Sequence, residues 1–318
     1  MIRNQAMNGS SRILFLLGAL WVAVVILFAV LKPSMFGEAT VTTILQFSTI
    51  LALVALGQGL VVLAGGAGID LSVGGTVSLS AALTMLAVKA GMPVLAIPLV
   101  CVVIGALLGA LNGLLVTRLS ILPLIATLGT LFVYSGLAVA LTGGAAQSGV
   151  PTWLIWWGRG VFFGLPVPFV TVVIPAFVLG SVVLMRSAWG VWVFALGYNE
   201  RSARLVGIPV DRVRLMIYAL GGALAGVAGL ISIAWLGSAR PNIGQNLELE
   251  SLTAVMLGGI AITGGVGGVG GVLAAVVLLV TLKTGLLQLN VNTVWQVGLV
   301  GMLLIAVLLI DRISKHWR

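Results

Sequence analysis

Cys101 is the only cysteine and His316 the only histidine. Cys101 lies in an apolar run, the setting of a buried, inert thiol, and His316 sits in a charged C-terminal tail. An internal disulfide, a cysteine-based metal site and a histidine triad are therefore all excluded. Gly265-Val266-Gly267-Gly268-Val269-Gly270 spells GxGxxG. A dinucleotide fold needs a strand before that motif and an acid about 20 residues after it. Here both flanks are apolar spans and position 290 is asparagine, so a tight turn or close helix contact explains the glycines better. No GxxxxGK[ST] occurs. Any ATP-driven function needs a partner, and the chain itself is expected to bind no cofactor.

Two places remain where charge and spacing suggest work. The first is Gly68-Ile69-Asp70-Leu71-Ser72-Val73-Gly74, where Asp70 is the only acid between Glu38 and Glu200. A carboxylate near membrane depth is costly and points to function. The glycines around it predict a helix break, and a position before the next span would let that helix's dipole favour the charge. A structural role and a pathway role are both open. The second is the loop 186–214, with five arginines against Glu200 and Asp211. Within it Asn199 suits an N-cap, Glu200 the first turn, Gly207 a C′ stop and Pro209 the position beyond. The spacing predicts a helix of about two turns, too short to stand alone. It must dock on the membrane surface or in a partner's groove.

These residues sit in a chain that only a membrane can accommodate. Of 318 residues, 60% are hydrophobic and 23 are charged (16 basic plus 7 acidic), against roughly a quarter charged in a soluble domain. Soluble enzymes, secreted domains and disordered chains are excluded. Long apolar runs rather than short alternating ones exclude a transmembrane β-barrel. The net charge of +9 is scattered between those runs, so it does not form a nucleic-acid face. The fold class is all-α, a single polytopic bundle over 1–318. Spans of about 20 apolar residues are expected at 13–31, 41–64, 72–88, 94–116, 121–141, 162–185, 215–235, 252–263, 272–287 and 294–310. The third, eighth and ninth are short or rich in small polar residues and are candidates for broken or re-entrant helices. The first is read as a retained helix, since no cleavage pattern follows at Lys32-Pro33-Ser34.

Ten spans with both termini inside place Arg3, Arg12, Arg118, Arg186, Arg201, Arg204, Arg212, Arg214, Arg312, Lys315 and Arg318 on one side, 11 of the 16 basic residues. That side is cytoplasmic by the positive-inside rule. The connections 143–160 and 236–250 then face outside. The 43 glycines are abundant. Gly105, Gly109 and Gly113, and Gly221, Ala225 and Gly229, form small-residue faces that suit packing within the chain better than a dimer seam. Trp153, Trp156 and Trp157 suit an interfacial anchor.

Taken in order, several motifs resemble the ribose/monosaccharide permease family, the membrane subunits of bacterial sugar-importing ABC transporters. The 68–74 segment resembles the family's GGIDLSVG signature, with Ala67 replacing the second glycine. Pro123-Leu124-Ile125-Ala126-Thr127-Leu128-Gly129-Thr130 resembles its PxFIATLGT stretch. Gly197-Tyr198-Asn199 through Gly207-Ile208 resembles its GxNxxAAxxxGI loop. Glu248-Leu249-Glu250-Ser251-Leu252 through Gly258-Gly259 resembles its ELDAIAAVVIGG segment. Glu250 stands in place of Asp, Ser202 in place of Ala, and Ile260-Ala261-Ile262-Thr263 in place of a Thr-Ser-Leu pattern.

The resemblance implies a transport subunit in the bacterial inner membrane, not an enzyme, paired with a second permease subunit. A cytoplasmic ABC ATPase using ATP and Mg would dock below, and a periplasmic sugar-binding protein above. It makes 199–207 the coupling helix, with Gly197, Asn199, Glu200, Arg201, Arg204 and Gly207 as the ATPase-coupling residues. Glu248 and Glu250 become candidates for docking the binding protein, against charge compensation of their own helix. Candidates for an uncharged but polar pathway are Gln46, Gln58, Ser72, Thr76, Ser78, Asn112 and Thr127, with Asp70; interhelical hydrogen bonds are the competing role. Other cargo, branched-chain amino acids or nucleosides, remains open, as does a secondary transporter or channel working without an ATPase.

Overall fold

The computed structural model describes residues 2–33, 37–66 and 68–316. Ser34, Ala67 and Arg318 lie outside the described residues, as do the side chains of Arg3, Arg12, Arg312, Lys315 and His316. The described chain is almost entirely helical. Its helices are α1 (Ile2–Leu31), α2 (Glu38–Leu63), α3 (Val73–Lys89), α4 (Ile97–Thr117), α5 (Pro123–Thr142), α6 (Thr152–Arg159), α7 (Ile174–Arg186), α8 (Ala188–Tyr198), α9 (Glu200–Leu205), α10 (Val210–Leu236), α11 (Leu247–Leu257), α12 (Val269–Gln288) and α13 (Thr293–His316). One two-residue hairpin, β1 (Val161–Phe162) with β2 (Leu165–Pro166), precedes a π-helical turn at Phe169–Val173.

Among the described residues, seven helical segments are long and apolar enough to cross a membrane: Leu14–Leu31, Ala39–Leu63, Val94–Thr117, Pro123–Thr142, Phe169–Arg186, Val210–Leu236 and Val269–Gln288. Three expectations need correction. The span expected at 272–287 is neither short nor broken; it is the regular 20-residue α12, because Gly270 and Gly271 fall in its first turn and Gly285 in its last, where they do not interrupt the helix. The span expected at 162–185 begins later, since Gly164 at φ +76 turns a hairpin first. The loop 186–214 is not wholly polar; Ser187 caps the apolar 11-residue α8 by accepting the Gly190 N–H.

Of the three candidates for broken helices, the other two border breaks in the helical chain. After α2 the chain leaves the helix at Gly65 and Gly66, both at positive φ, and α3 resumes only at Val73. After α10 it turns at Gly237, φ +72, and Gly244 packs backbone to backbone on Gly74 in the first turn of α3. α11 is only 11 residues long, and the glycine loop after it returns to the end of α2, with the Gly265 N–H donating to Leu63 O at 2.8 Å. The GxGxxG motif is thus a turn, with Gly265 and Gly267 at φ +72 and +124.

α10 is the axis of the bundle, and its small residues face three neighbours. Gly222 and Gly226 meet Gly105, Gly109 and Cys101 of α4; Gly221 faces Gly57 of α2; Gly229 faces Val77 and Ser80 of α3. The glycine faces therefore serve packing within the chain, though on α10 the residues meeting α4 are Gly222 and Gly226. Cys101 is buried there, its thiol donating to Gly226 O. The outward face of α5, with Leu124, Ile125, Leu128, Phe132 and Val133, is exposed and apolar, as lipid requires.

A Cβ at Gly222 would stand 2.2 Å from Gly105 O, whereas one at Gly129 would meet nothing within 4 Å. Gly222→Val should therefore destabilise the protein by about 3 kcal/mol through overpacking, and Gly129→Ala should fall within about 0.5 kcal/mol of wild type. Thermal unfolding in detergent measures both.

Candidate functional site

The described residues of the loop 64–72, that is 64–66 and 68–72, are irregular backbone inside an apolar bundle, so each polar group on them needs a partner. Side chains from three helices supply them. Gln58 of α2, with its amide oriented to satisfy both contacts, donates to Asp70 O at 2.9 Å and accepts from Asp70 N at 3.3 Å. Thr127 of α5 donates its hydroxyl to Ile69 O at 3.1 Å. Asn112 of α4 donates to Ser72 Oγ at 2.6 Å, and Ser72 in turn donates from both Oγ (2.7 Å) and N (2.8 Å) to Asp70 Oδ1. Asp70, Ser72, Gln58, Asn112 and Thr127 form one buried cluster. Asp70 has no ion-pair partner among the described residues. Its carboxylate lies two residues before Ser72, the N-cap of α3, and is held by the Ser72 N–H, so the helix start stabilises it.

The remaining pathway candidates lie elsewhere. Gln46 donates to Gly158 O at 3.0 Å and ties α2 to α6. Ser78 accepts the Gly244 N–H at 2.9 Å, and Thr76 is buried in α3. The two acids in the first turn of α11 turn inward as well. Glu250 pairs with Lys283 of α12 at 2.6 Å. Glu248 has a buried, unpartnered Oε2 that lies where a side chain on Gly74 would stand.

At the end of the bundle where α2 finishes, Asn199 caps α9 by accepting the Ser202 N–H at 3.0 Å. Gly207 stops it at φ +84, with the Ile208 N–H returning to Ala203 O. α9 is only six residues, and ion pairs to α10 hold it. Arg204 bonds Glu200 at 3.1 Å and Asp211 at 2.6 Å; Arg214 bonds Glu200 at 2.9 Å. Burial raises the pKa of the Glu200 carboxyl, but the Arg214 and Arg204 guanidiniums outweigh burial and hold it below the usual carboxylate range. Bonds to Asp211 and Glu200 likewise raise Arg204. Gly197, at the end of α8, has no room for a side chain; a Cβ would stand 2.1 Å from Leu63 O.

Of the three charged residues proposed for contacts at α9, Glu200 and Arg204 are thus engaged within the chain. Arg201 is exposed and outside these ion pairs. What α9 presents instead is apolar: Leu205 is 87% exposed and Val206 76%. Their register just before the Gly207 stop was readable from the sequence, but their exposure was not. The roles of Asp211 and Arg214 could not be read, since they depend on α10 folding back beside α9.

A polytopic bundle with a broken intramembrane helix and a strapped, capped helix at one end defines a membrane transport subunit. The chain belongs to the family described as branched-chain amino acid transport system / permease component, whose model matches residues 40–308. It is 41% identical to the ribose import permease protein RbsC of Bacillus subtilis (strain 168), over 91% of this chain and 89% of that protein. It is 35% identical to the autoinducer 2 import system permease protein LsrC of Klebsiella pneumoniae, over 93% and 87%. It is 32% identical to RbsC of Escherichia coli (strain K12), over 91% and 92%. No solved structure matches. The membership makes the chain the permease component of a transport system, a multi-pass transport subunit rather than an enzyme.

Two outcomes test the site. The depressed Glu200 pKa means its ion pairs stabilise the fold fully above the unfolded value near 4.5, and that contribution is lost as pH falls through the lower folded value. Glu200→Gln should remove this acid-side loss, seen as a flatter dependence of thermal unfolding on pH below about 5. Asp70→Ala should destabilise by about 1–3 kcal/mol, because it strands the buried Ser72 N–H and hydroxyl, with Asp70→Asn milder in the same measurement.

Proposed function

We propose that the chain is the permease subunit of an ATP-driven importer for a monosaccharide or related small sugar. Two permease subunits form the pathway in the bacterial inner membrane. A periplasmic binding protein delivers the sugar, and a cytoplasmic ABC ATPase uses ATP and Mg. The end of the bundle carrying α9 faces the cytoplasm, with both termini. The names of the ribose and autoinducer-2 relatives favour a sugar over the branched-chain amino acid in the family's description.

The observation that carries this reading is α9: a capped helix too short to be stable alone, held by ion pairs to α10, with Leu205 and Val206 bare at its tip. An apolar tip on a rigid support is suited to a groove in another protein. ATP binding would draw the ATPase subunits together and displace α9. The straps pass that displacement to α10, which is in backbone contact with α2 and α4 and packs on α3. A shift of α10 would thus change the packing around the broken segments and switch the pathway between its two faces. Recognition of the sugar rests mainly with the binding protein. The pathway is lined by uncharged polar groups drawn from the candidates above, and Glu248 and Glu250 shape the loop that meets the binding protein.

Replacing 199–207 with a Gly/Ser linker should abolish uptake and stimulated ATP hydrolysis while leaving the protein in the membrane; normal uptake by that variant would overturn the reading. Leu205→Asp with Val206→Asp should release the ATPase on purification, while Arg201→Ala should weaken the association by less than tenfold, as expected of an exposed charge.

A further inference from the structure

This inference rests on the function proposed above and concerns how movement of α9 reaches the Asp70 loop. Arg214 lies in the second turn of α10, its side chain only 12% exposed. Its Nη2 bonds Glu200 Oε2 at 2.9 Å. The same Nη2 stands 2.7 Å from where a Cβ on Gly66 would be, and Gly66 has φ +66. The guanidinium therefore covers bare backbone at the start of the 64–72 loop, where any side chain would displace it. Glu200 does not need Arg214 for neutralisation, because its other oxygen already takes Arg204. What Arg214 adds is the reach from α9 to the loop.

The loop is suited to carry a displacement. Its near end is tied to the α9 side, with Gly65 packed on the Gly197 backbone. Its far end is the cluster of Asp70, Ser72 and Asn112, which opens α3. There Gly74 meets Gly244 and Glu248 from the second broken segment. One short stretch of chain thus joins the ATPase-facing helix to the place where the two breaks touch.

We propose that Arg214 is a positioning residue that transmits displacement of α9, through Glu200, to the 64–72 loop and so to the start of α3. The test uses the full chain with its co-purifying ATPase in lipid nanodiscs. Cys101 is buried, so an introduced Ile69→Cys is the reactive thiol. Its maleimide labelling is compared without nucleotide and after trapping with ATP, Mg and vanadate. Trapping should change the labelling rate about fivefold or more in the parent, as expected of a thiol whose access changes. Arg214→Gln and Glu200→Gln should each reduce that change to under about twofold with the ATPase still bound, while Arg214→Lys, which keeps a donor for Glu200 but loses the planar guanidinium over Gly66, should retain only part of it. A full response in Arg214→Gln, or no response in the parent with its ATPase bound, would overturn the proposal. Should Arg214→Gln fail to fold, Glu200→Gln, at the partly exposed end of the link, decides alone. Failure of any ATPase to co-purify with the parent would instead sink the transporter reading, and this inference with it.

Discussion

Backbone that leaves a helix inside an apolar bundle must find hydrogen-bond partners nearby, because neither lipid nor aliphatic side chains supply any. The 64–72 loop meets that demand with Gln58, Thr127, Asn112 and Ser72. Asp70 contributes twice, through its peptide group to Gln58 and through its carboxylate to Ser72. Gln58 of α2, Asn112 of α4 and Thr127 of α5 are therefore explained first by the break they support. In such networks one lost partner leaves others stranded, so the arrangement is specified tightly.

The second constraint is proximity. α10 touches α4 and α2 at glycines where a methyl group would not fit, so contact runs directly between backbones. Surfaces that interlock this closely do not deform gradually; they shift as bodies or hold. A long central helix packed in this way, with α9 strapped to its first turns, would act as a lever under the function proposed above.

Much of this was legible in the chain. Hydropathy alone gave the all-α bundle and the approximate positions of its spans, since each must be long and apolar. Asn199, Glu200, Gly207 and Pro209 gave α9 because capping acts within a few residues. The break at Gly68–Gly74 was legible because glycine and aspartate interrupt an apolar run. What was hidden depends on distant parts of the chain meeting. Glycines at 265–271 look alike whether they break a helix or precede one, so α12 was misjudged. Lys283 reaches Glu250 across 33 positions, and Arg214 reaches Gly66 only because α2 and α10 run side by side. The apolar character of the α9 tip was hidden too, because charged residues in a loop suggest contact while, here, they are occupied with one another.

The straps on α9 have a bearing on partner choice. A segment already fixed in shape loses little conformational freedom on association, which favours binding to any socket of matching form. An apolar tip rejects few competitors by itself, since discrimination depends on unpaired charge or desolvated polar groups set against the wrong partner. With Glu200 and Arg204 occupied, Arg201 is the cation left at the tip for that purpose. On the docking proposed for α9, subunits of related importers would be interchangeable at this joint to the degree that their grooves tolerate one arginine.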